Sequence, residues 1–373
     1  MVIRLIADGD LTVSVAESWL EALSADRPAA ALLDLSGCRS IHSGAGWRIG
    51  NALRRFDGPA GYCEVIARAP ANLGDDKWWY RNFTRSGLGY AIGRYAAGVT
   101  STSGTDVTRP IREYYERIVE QEGGRNHGLY GLAAIRGLIP SEEDFNSIFR
   151  GWISEWLLSH QQSAMPDILL LCWEAVTNLI DHSGKAPLPP STRTFGSVSV
   201  RWYTPPELES AHGRYAHWLA ATRRSAANRT LRGYLTIVVT DDGVGIAARQ
   251  SQDPAIYRGD PQLERAAVLS ALADGGTIKT TALDSTIRGR PGSGFTNIAS
   301  SLRHLGAWAL LRTGRHAFEF DGSRPDSAAF ELSEAHLAYM PGTCLEVTVP
   351  VPEAGEVWAP PDTLPIELPS DRL

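Results

Sequence analysis

Cys172-Trp173-Glu174-Ala175-Val176-Thr177-Asn178-Leu179-Ile180-Asp181-His182 spaces a carboxylate, an amide and an imidazole four residues apart. On a helix Glu174, Asn178 and His182 form one stripe, while Ile168, Leu169, Cys172, Ala175, Val176, Leu179 and Ile180 fall on the other side at helical spacing. The pattern predicts a helix that buries one face and presents three polar groups on the other. Glu174 fits the part of a general base. The Asn178 carbonyl oxygen suits a hard cation such as Mg²⁺, which takes oxygen ligands and shares them with substrate phosphates. On its own such a trio is more often a plain solvated face, so the rest of the chain decides its weight.

Downstream, Leu235 to Thr240 is a β-branched apolar run that delivers Asp241-Asp242-Gly243-Val244-Gly245 at its end, a segment that also suits a tight Asp-Gly turn. Gly289-Arg290-Pro291-Gly292-Ser293-Gly294 precedes Phe295 to Leu305, where Phe295, Ile298, Leu302 and Leu305 make a helical stripe. Glycines entering a helix bring backbone N–H groups close to an anion. Gly342-Thr343 leads into an alternating strand through Leu345, Val347 and Val349 that ends at Pro350.

In this order the four pieces resemble the ATP-binding domain of the GHKL superfamily, which holds gyrase B, the heat-shock chaperone ATPase, sensor histidine kinases and MutL. Glu174 to His182 is similar to its N box, Asp241-x-Gly243-x-Gly245 to its first glycine box, Gly292-x-Gly294 to its second, and Gly342-Thr343 to its final strand motif. The wording is nearest to the anti-sigma-factor serine kinases, through Glu174-Ala175-Val176-Thr177-Asn178 with His182, and Gly292-Ser293-Gly294-Phe295. The resemblance implies an α/β sandwich with helices on one face of a mixed sheet, and ATP with Mg²⁺ as ligands. It further implies that Asp241 accepts from the adenine amine, with Thr343 holding the same edge through a water, and that Gly243 and Gly245 let the chain turn closely around the base. Asn178 would hold the Mg²⁺, Gly292 and Gly294 would set a helix N-terminus against the triphosphate, and Glu174 would orient or deprotonate the attacking group. His182 either faces the phosphates or packs at the surface. Lys185, Lys279, Arg288 and Arg290 are all available to neutralise phosphate charge.

Two stretches depart from the family pattern. Pro187 to Arg232 is an insertion, strand-like over Val198 to Tyr203 and then rich in Ala, His and Arg. Ile246 to Arg288 corresponds to the mobile lid over ATP, with a helix expected over Pro261 to Ala273 and Gly275-Gly276 as its hinge. No Gly-x-x-x-x-Gly-Lys-Ser/Thr occurs, which excludes a P-loop.

The first hundred residues read differently. Ile3 to Ala7 and Ala29 to Leu35 are expected strands around a helix from Val13 to Ser24, followed by a helix over Ala45 to Phe56, the pattern of an α/β unit. Asp34-Leu35-Ser36-Gly37-Cys38-Arg39-Ser40-Ile41-His42-Ser43-Gly44 resembles STAS domains, the fold of anti-sigma-factor antagonists, which present a phosphorylatable Ser at a helix start. An ungapped register puts Ser43 on the phosphoacceptor position; sliding by one residue puts His42 there. Ser43 as a plain helix cap is the competing reading. Cys63 to Ala67, Asp75 to Arg85 and Gly89 to Ile92 are expected to complete a strand, helix, strand pattern, with Trp78, Trp79, Tyr80 and Phe83 packing the helix or marking a contact surface.

Thr100 to Val107 reads as a linker, followed by helices over Arg109 to Glu122 and Ser141 to Ser159, the second opened by the acidic turn Ser141-Glu142-Glu143-Asp144. Neither His127 nor His160 sits in the dimerising hairpin that histidine autophosphorylation requires. The expected organisation is a STAS-like α/β domain over 1–99, a linker with connecting helices over 100–160, a GHKL ATP-binding domain over 161–352, and a Pro-rich acidic tail over 353–373.

A chain of 373 residues, 43% hydrophobic, suits two domains with ample cores. Its net charge of −6 offers no basic footprint for nucleic acid. Cys38, Cys63, Cys172 and Cys344 have no metal-ligand spacing and read as reduced core thiols of a cytoplasmic protein. Neither a signal peptide nor an apolar run able to span a bilayer is expected. Three functions stay open: a serine/threonine kinase-type regulator of a protein partner, an ATPase whose lid closure or homodimerisation clamps a partner, and an ATP-bound scaffold without catalysis. Glu174 argues against the third, because binding alone requires no base beside Asn178.

Overall fold

The computed structural model describes residues 2–25, 30–54, 64–68, 86–101, 103–115, 129–131, 142–183, 196–211, 215–225, 231–241, 243–273, 294–324, 326–327 and 329–353. The chain is mixed α/β, built on two sheets. The first comes from β1 (Val2–Leu11), α1 (Val13–Ala25), β2 (Ala30–Ile41), α2 (Ser43–Arg54), β3 (Glu64–Arg68), α3 (Leu88–Tyr95), β4 (Gly98–Thr100) and α4 (Thr108–Tyr115). Its four strands run parallel in the order β1-β2-β3-β4, which demands the helical crossovers that the chain supplies. Along β1, Leu5, Ala7 and Leu11 are buried while Val2, Arg4 and Ile6 are exposed, the alternation of an edge strand covered on one side.

The segment around Gly89 to Ile92, expected as a strand, is the helix α3 instead. Leu88, Ala91 and Ile92 are buried at helical spacing. The reason lies in the tertiary packing: a Cβ added at Gly46 or Gly50 of α2 would come within 2.3 Å of the Ser86 carbonyl oxygen or 2.9 Å of the Ala91 Cβ. Two helices approach this closely only where the backbone itself forms the contact. Asp75 to Arg85, Cys63 and the aromatic group Trp78 to Phe83 lie outside the described residues.

The second sheet draws on β5 (Leu129–Gly131), α5 (Glu142–Ser154), a 3₁₀ turn (Ser159–Ala164), α6 (Met165–Ser183), β6 (Gly196–Tyr203), α7 (Pro205–Ala211), α8 (Ala216–Ser225), β7 (Leu231–Asp241), α9 (Ile246–Ser251), a second 3₁₀ turn (Pro254–Arg258), α10 (Pro261–Leu272), α11 (Gly294–His304), β8 (Trp308–Gly314), β9 (His316–Asp321), β10 (Glu331–Glu334) and β11 (Met340–Pro352). Its seven strands run β10-β9-β8-β11-β7-β6-β5. Each pairing is antiparallel, so the expectation of a mixed sheet is corrected. Of the described strands only β8 and β9 form a tight hairpin; the helical crossover from β7 to β8 does bring those two strands parallel, but β11 inserts between them antiparallel to both, so no parallel pair forms.

Both faces of this sheet are covered. On the front, Leu235, Ile237, Val239, Leu345, Val347 and Leu311 share one core with α5, α6, α10 and α11. On the back, Tyr234, Trp308 and Leu310 pack with Trp218 and Leu219 of α8 and Leu208 of α7, so the inserted stretch after β6 folds as two helices over that half of the sheet. The rest of the back face belongs to the first unit, since Val238, Met340 and Cys344 join the core of α1, α2 and β2. Ile111 of α4 lies in that same core, whereas Phe145 and Phe149 of α5 lie in the front one, so the stretch read as linker and connecting helices is shared between the two. Burial pushes the Cys38 and Cys344 thiols up to about 12, as suits core packing. Among the described residues no helix is long and apolar enough to cross a membrane.

Candidate functional site

Helix α6 forms as its spacing predicts. Ile168, Leu169, Cys172, Ala175 and Val176 are buried against the front of the sheet, and Glu174 and Asn178 are half-buried on the side turned toward α11. The Glu174 Oε1 accepts a hydrogen bond of 2.7 Å from the Asn297 side-chain amide. One turn on, a Cβ placed on Gly294 would stand 2.8 Å from the Asn178 Nδ2. Only glycine lets the N-terminus of α11 reach this amide, and that terminus carries the positive end of the helix dipole. The side chain of His182, together with Lys185, Lys279, Arg288, Arg290 and Gly292, lies outside the described residues.

The Asn178 Nδ2 is buried and makes no hydrogen bond among the described residues. Leaving an amide so costs about 1–3 kcal/mol, and a folded chain keeps such a group mostly where a ligand or water completes it. Among the described residues no group of three or more His, Cys, Asp or Glu is assembled to hold a metal. A cation at Asn178 would therefore depend on oxygens brought by a bound phosphate.

Asp241 ends β7 in register with Thr343 of β11, which in turn faces Thr313 of β8. Because side chains alternate along a strand, Asp241 and Thr343 point to the same face as Ile237, Val239, Leu345 and Val347, the face that carries α6. Asp241 is buried, and its Oδ1 accepts from the Gly243 N–H at 2.7 Å. That bond turns the chain sharply after β7. Gly245 then takes φ +79°, and a Cβ there would lie 2.4 Å from the Tyr257 hydroxyl and 3.2 Å from the Thr313 Oγ1. Gly342 sits at φ +70° immediately before Thr343. Asp241, Gly243, Gly245 and Thr343 are thus brought together at one end of the central strands, and Glu174, Asn178 and Gly294 at the α6–α11 contact on the same face.

Asn297, Tyr257 and Thr313 were not foreseen. Asn297 had a visible signal, as a polar residue three positions after Gly294 on the inward side of the Phe295–Leu305 stripe. Tyr257 and Thr313 had none, since Thr313 is placed by the strand register and Tyr257 by the packing of a 3₁₀ turn against Gly245.

The expected lid divides into a described and an undescribed part. Residues 274–293, with Gly275 and Gly276, are not described. The part before them is anchored: α10 starts with Asp260 capping the Gln262 N–H and Pro261 in its first turn, and then plants Glu264, fully buried, on the β8–β9 turn. Glu264 accepts from the Arg315 backbone N–H at 2.6 Å and pairs with the Arg315 guanidinium at 2.7 Å. A Cβ on Gly314, which has φ +54°, would stand 2.2 Å from its Oε1.

Ser43, the candidate phosphoacceptor, is 1% exposed. It opens α2 at the back of the second sheet, where its backbone N–H donates to the Tyr203 hydroxyl at 3.3 Å and His42 stacks on the Tyr203 ring, centroids 5.1 Å apart. Around it the Trp47 indole N–H donates to the Ser199 hydroxyl at 3.1 Å, and Glu346 of β11 lies 3.6 Å from His42 and 3.8 Å from Arg48. Glu17 of α1 lies 3.6 Å from Arg48 and 3.1 Å from Arg312 of β8. No family model, no curated protein and no solved structure matches this chain.

Proposed function

We propose that the second unit binds ATP with Mg²⁺ on the front of the seven-stranded sheet and that the protein regulates a protein partner as a GHKL-type serine/threonine kinase. The observation that carries this reading is the buried Asn178 Nδ2, without a partner among the described residues, held against a glycine that opens a helix. A phosphate oxygen is complementary both to that unpartnered donor and to the helix N-terminus, and the carbonyl oxygen at the other end of the same amide suits a phosphate-bound cation. Mg-ATP, when bound, supplies the transferable phosphoryl group. Asn178 would hold the metal, Gly294 would offer the α11 terminus to phosphate, and Asp241 with Thr343 would take the adenine edge. Glu174 would accept the proton of the attacking hydroxyl, its Oε1 kept in place by Asn297. The anchoring of α10 through Glu264 favours the kinase reading over an ATPase clamp, because it leaves less of the lid segment to move.

The test is nucleotide titration and Mg²⁺-dependent turnover on wild type, Asp241→Asn and Glu174→Ala. Asp241→Asn is expected to abolish adenine-nucleotide binding. Glu174→Ala is expected to bind as wild type and to lose roughly 10²–10⁴-fold in phosphoryl transfer. Wild-type chemistry in Glu174→Ala would remove its catalytic role, and sustained hydrolysis by wild type without a protein acceptor would favour the ATPase.

A further inference from the structure

The two strand ends that carry Asp241 and Thr343 are held from behind by a residue of the first unit. Asn51, on the third turn of α2 and 4% exposed, directs its Nδ2 at three oxygens. These are the Asp241 carbonyl at 2.8 Å, the Thr240 hydroxyl at 3.1 Å and the Pro341 carbonyl at 3.3 Å. The Thr240 hydroxyl donates its own proton to the Thr343 carbonyl at 2.9 Å, so toward Asn51 it can only accept. Three acceptors facing one end of the amide fix that end as the nitrogen. A continuous chain of donors therefore runs from α2 through Thr240 to the backbone of Thr343, with a direct branch to the backbone of Asp241.

We propose that Asn51 is a positioning residue of the nucleotide site: it sets the spacing of the β7 and β11 ends, so that docking of the first unit and binding of an adenine nucleotide strengthen each other. The inference rests on the nucleotide reading above and adds to it where the regulation enters. The physical basis is that Asp241 and Thr343 point forward from the backbone atoms that Asn51 holds from the back. A helix that moves away releases the Asp241 and Pro341 carbonyls at once and takes the donor from the Thr240 hydroxyl that holds Thr343. Linkage then requires the reverse effect, with bound nucleotide tightening α2 against the sheet by the same factor.

The experiment uses the full chain as wild type, Asn51→Ala and Thr240→Val. ADP and GDP affinities are measured by calorimetry, and hydrogen exchange of α2 is followed with and without ADP. Expected are a roughly tenfold loss of ADP affinity in Asn51→Ala, a smaller loss in Thr240→Val, which keeps the Asp241 branch, and a narrowed preference for ADP over GDP in both. ADP should slow exchange in α2 of wild type and leave α2 of Asn51→Ala unchanged. Thr240→Val preserves α2 and so keeps the test open if Asn51→Ala does not fold. A wild type that binds no adenine nucleotide overturns the functional reading and this inference with it. Wild-type binding together with unchanged affinity in both variants overturns the positioning role alone, and so does an affinity loss with ADP-dependent protection of α2 intact.

Discussion

Glu346 and Val347 are neighbours on the central strand β11, equally buried, and they face opposite worlds. Val347 enters an apolar front core shared with α6 and α11, whereas Glu346 enters a back face where Arg48, Arg312 and His42 are buried with it and Glu17 is half-buried beside them. Two carboxylates meet two guanidiniums there, so the cluster is neutral when His42 is uncharged. The front is held by an attraction without direction, which tolerates exchange of similar shapes. The back is held by charges that are costly to bury and fit only one alignment of the two units. Burial alone therefore does not tell what a face is for: one face builds the core beside the candidate site, and the other meets the first unit through charge.

Glu346→Ala should be the largest disruption, about 3–5 kcal/mol, because it leaves Arg48 buried beside an empty place. Val347→Ala, one residue away, should cost about 2 kcal/mol as a simple cavity. Denaturant unfolding of both checks the order; a cheaper Glu346→Ala would erase the distinction between the faces. Gly44→Ala comes next. Its Cβ would stand 2.1 Å from the Glu346 Oε2, so an overpacking cost of about 1–3 kcal/mol is expected, with protease cleavage of α2 rising while the α6–α11 region stays protected.

The smallest effect concerns pH on the front side. His316 is buried, its Nε2 faces the Pro261 carbonyl at 3.1 Å and its Nδ1 has no partner. The carbonyl requires the proton on Nε2, and a second proton on the buried Nδ1 would find no acceptor, which favours the neutral ring. Burial holds its pKa below the ordinary 6.5, against an opposing pull from Glu264. Above 6.5 the folded and unfolded chains both leave it neutral. Below 6.5 only the unfolded chain takes the proton, so stability falls as pH drops toward the folded value, by at most about 1.4 kcal/mol per pH unit. Melting between pH 7.5 and 5.5 should show a slope that His316→Gln flattens.

Much of the second unit was legible. The helix at 165–183, the strand ending at Asp241, the helix from Gly294 and the strand after Gly342 all lie where periodicity puts them. The contacts Glu174–Asn297 and Asn178–Gly294 lie within those same motifs. What escaped has two causes. Strand β8 carries no alternation, since it is buried on both faces along all of Trp308–Gly314, and the alternation of β9 is confined to the four residues Phe318-Glu319-Phe320-Asp321. The docking face escaped because Glu17, Arg48, Arg312 and Glu346 lie far apart in the chain, and charged residues ordinarily read as solvent-facing. The helix α3 was missed for a related reason: its glycines suggest a turn or strand until the glycines of α2 are seen beside them.

The position of β11 bears on how the chain folds. It is the last strand in sequence among those described and yet stands in the middle of its sheet, between β8 and β7. Until it is inserted, β7 with its outer partners and β8 with its own are two separate pieces with open edges, and α2 has only half of its seat. Closure must bring residue 345 beside residues 239 and 311 in one step, a long-range event that is slow compared with forming local helices. During that interval the unpaired edges are the points at which another chain can add. Stability of the first unit, the geometry of the candidate site and freedom from aggregation should therefore all be acquired together, at the moment this strand zips in.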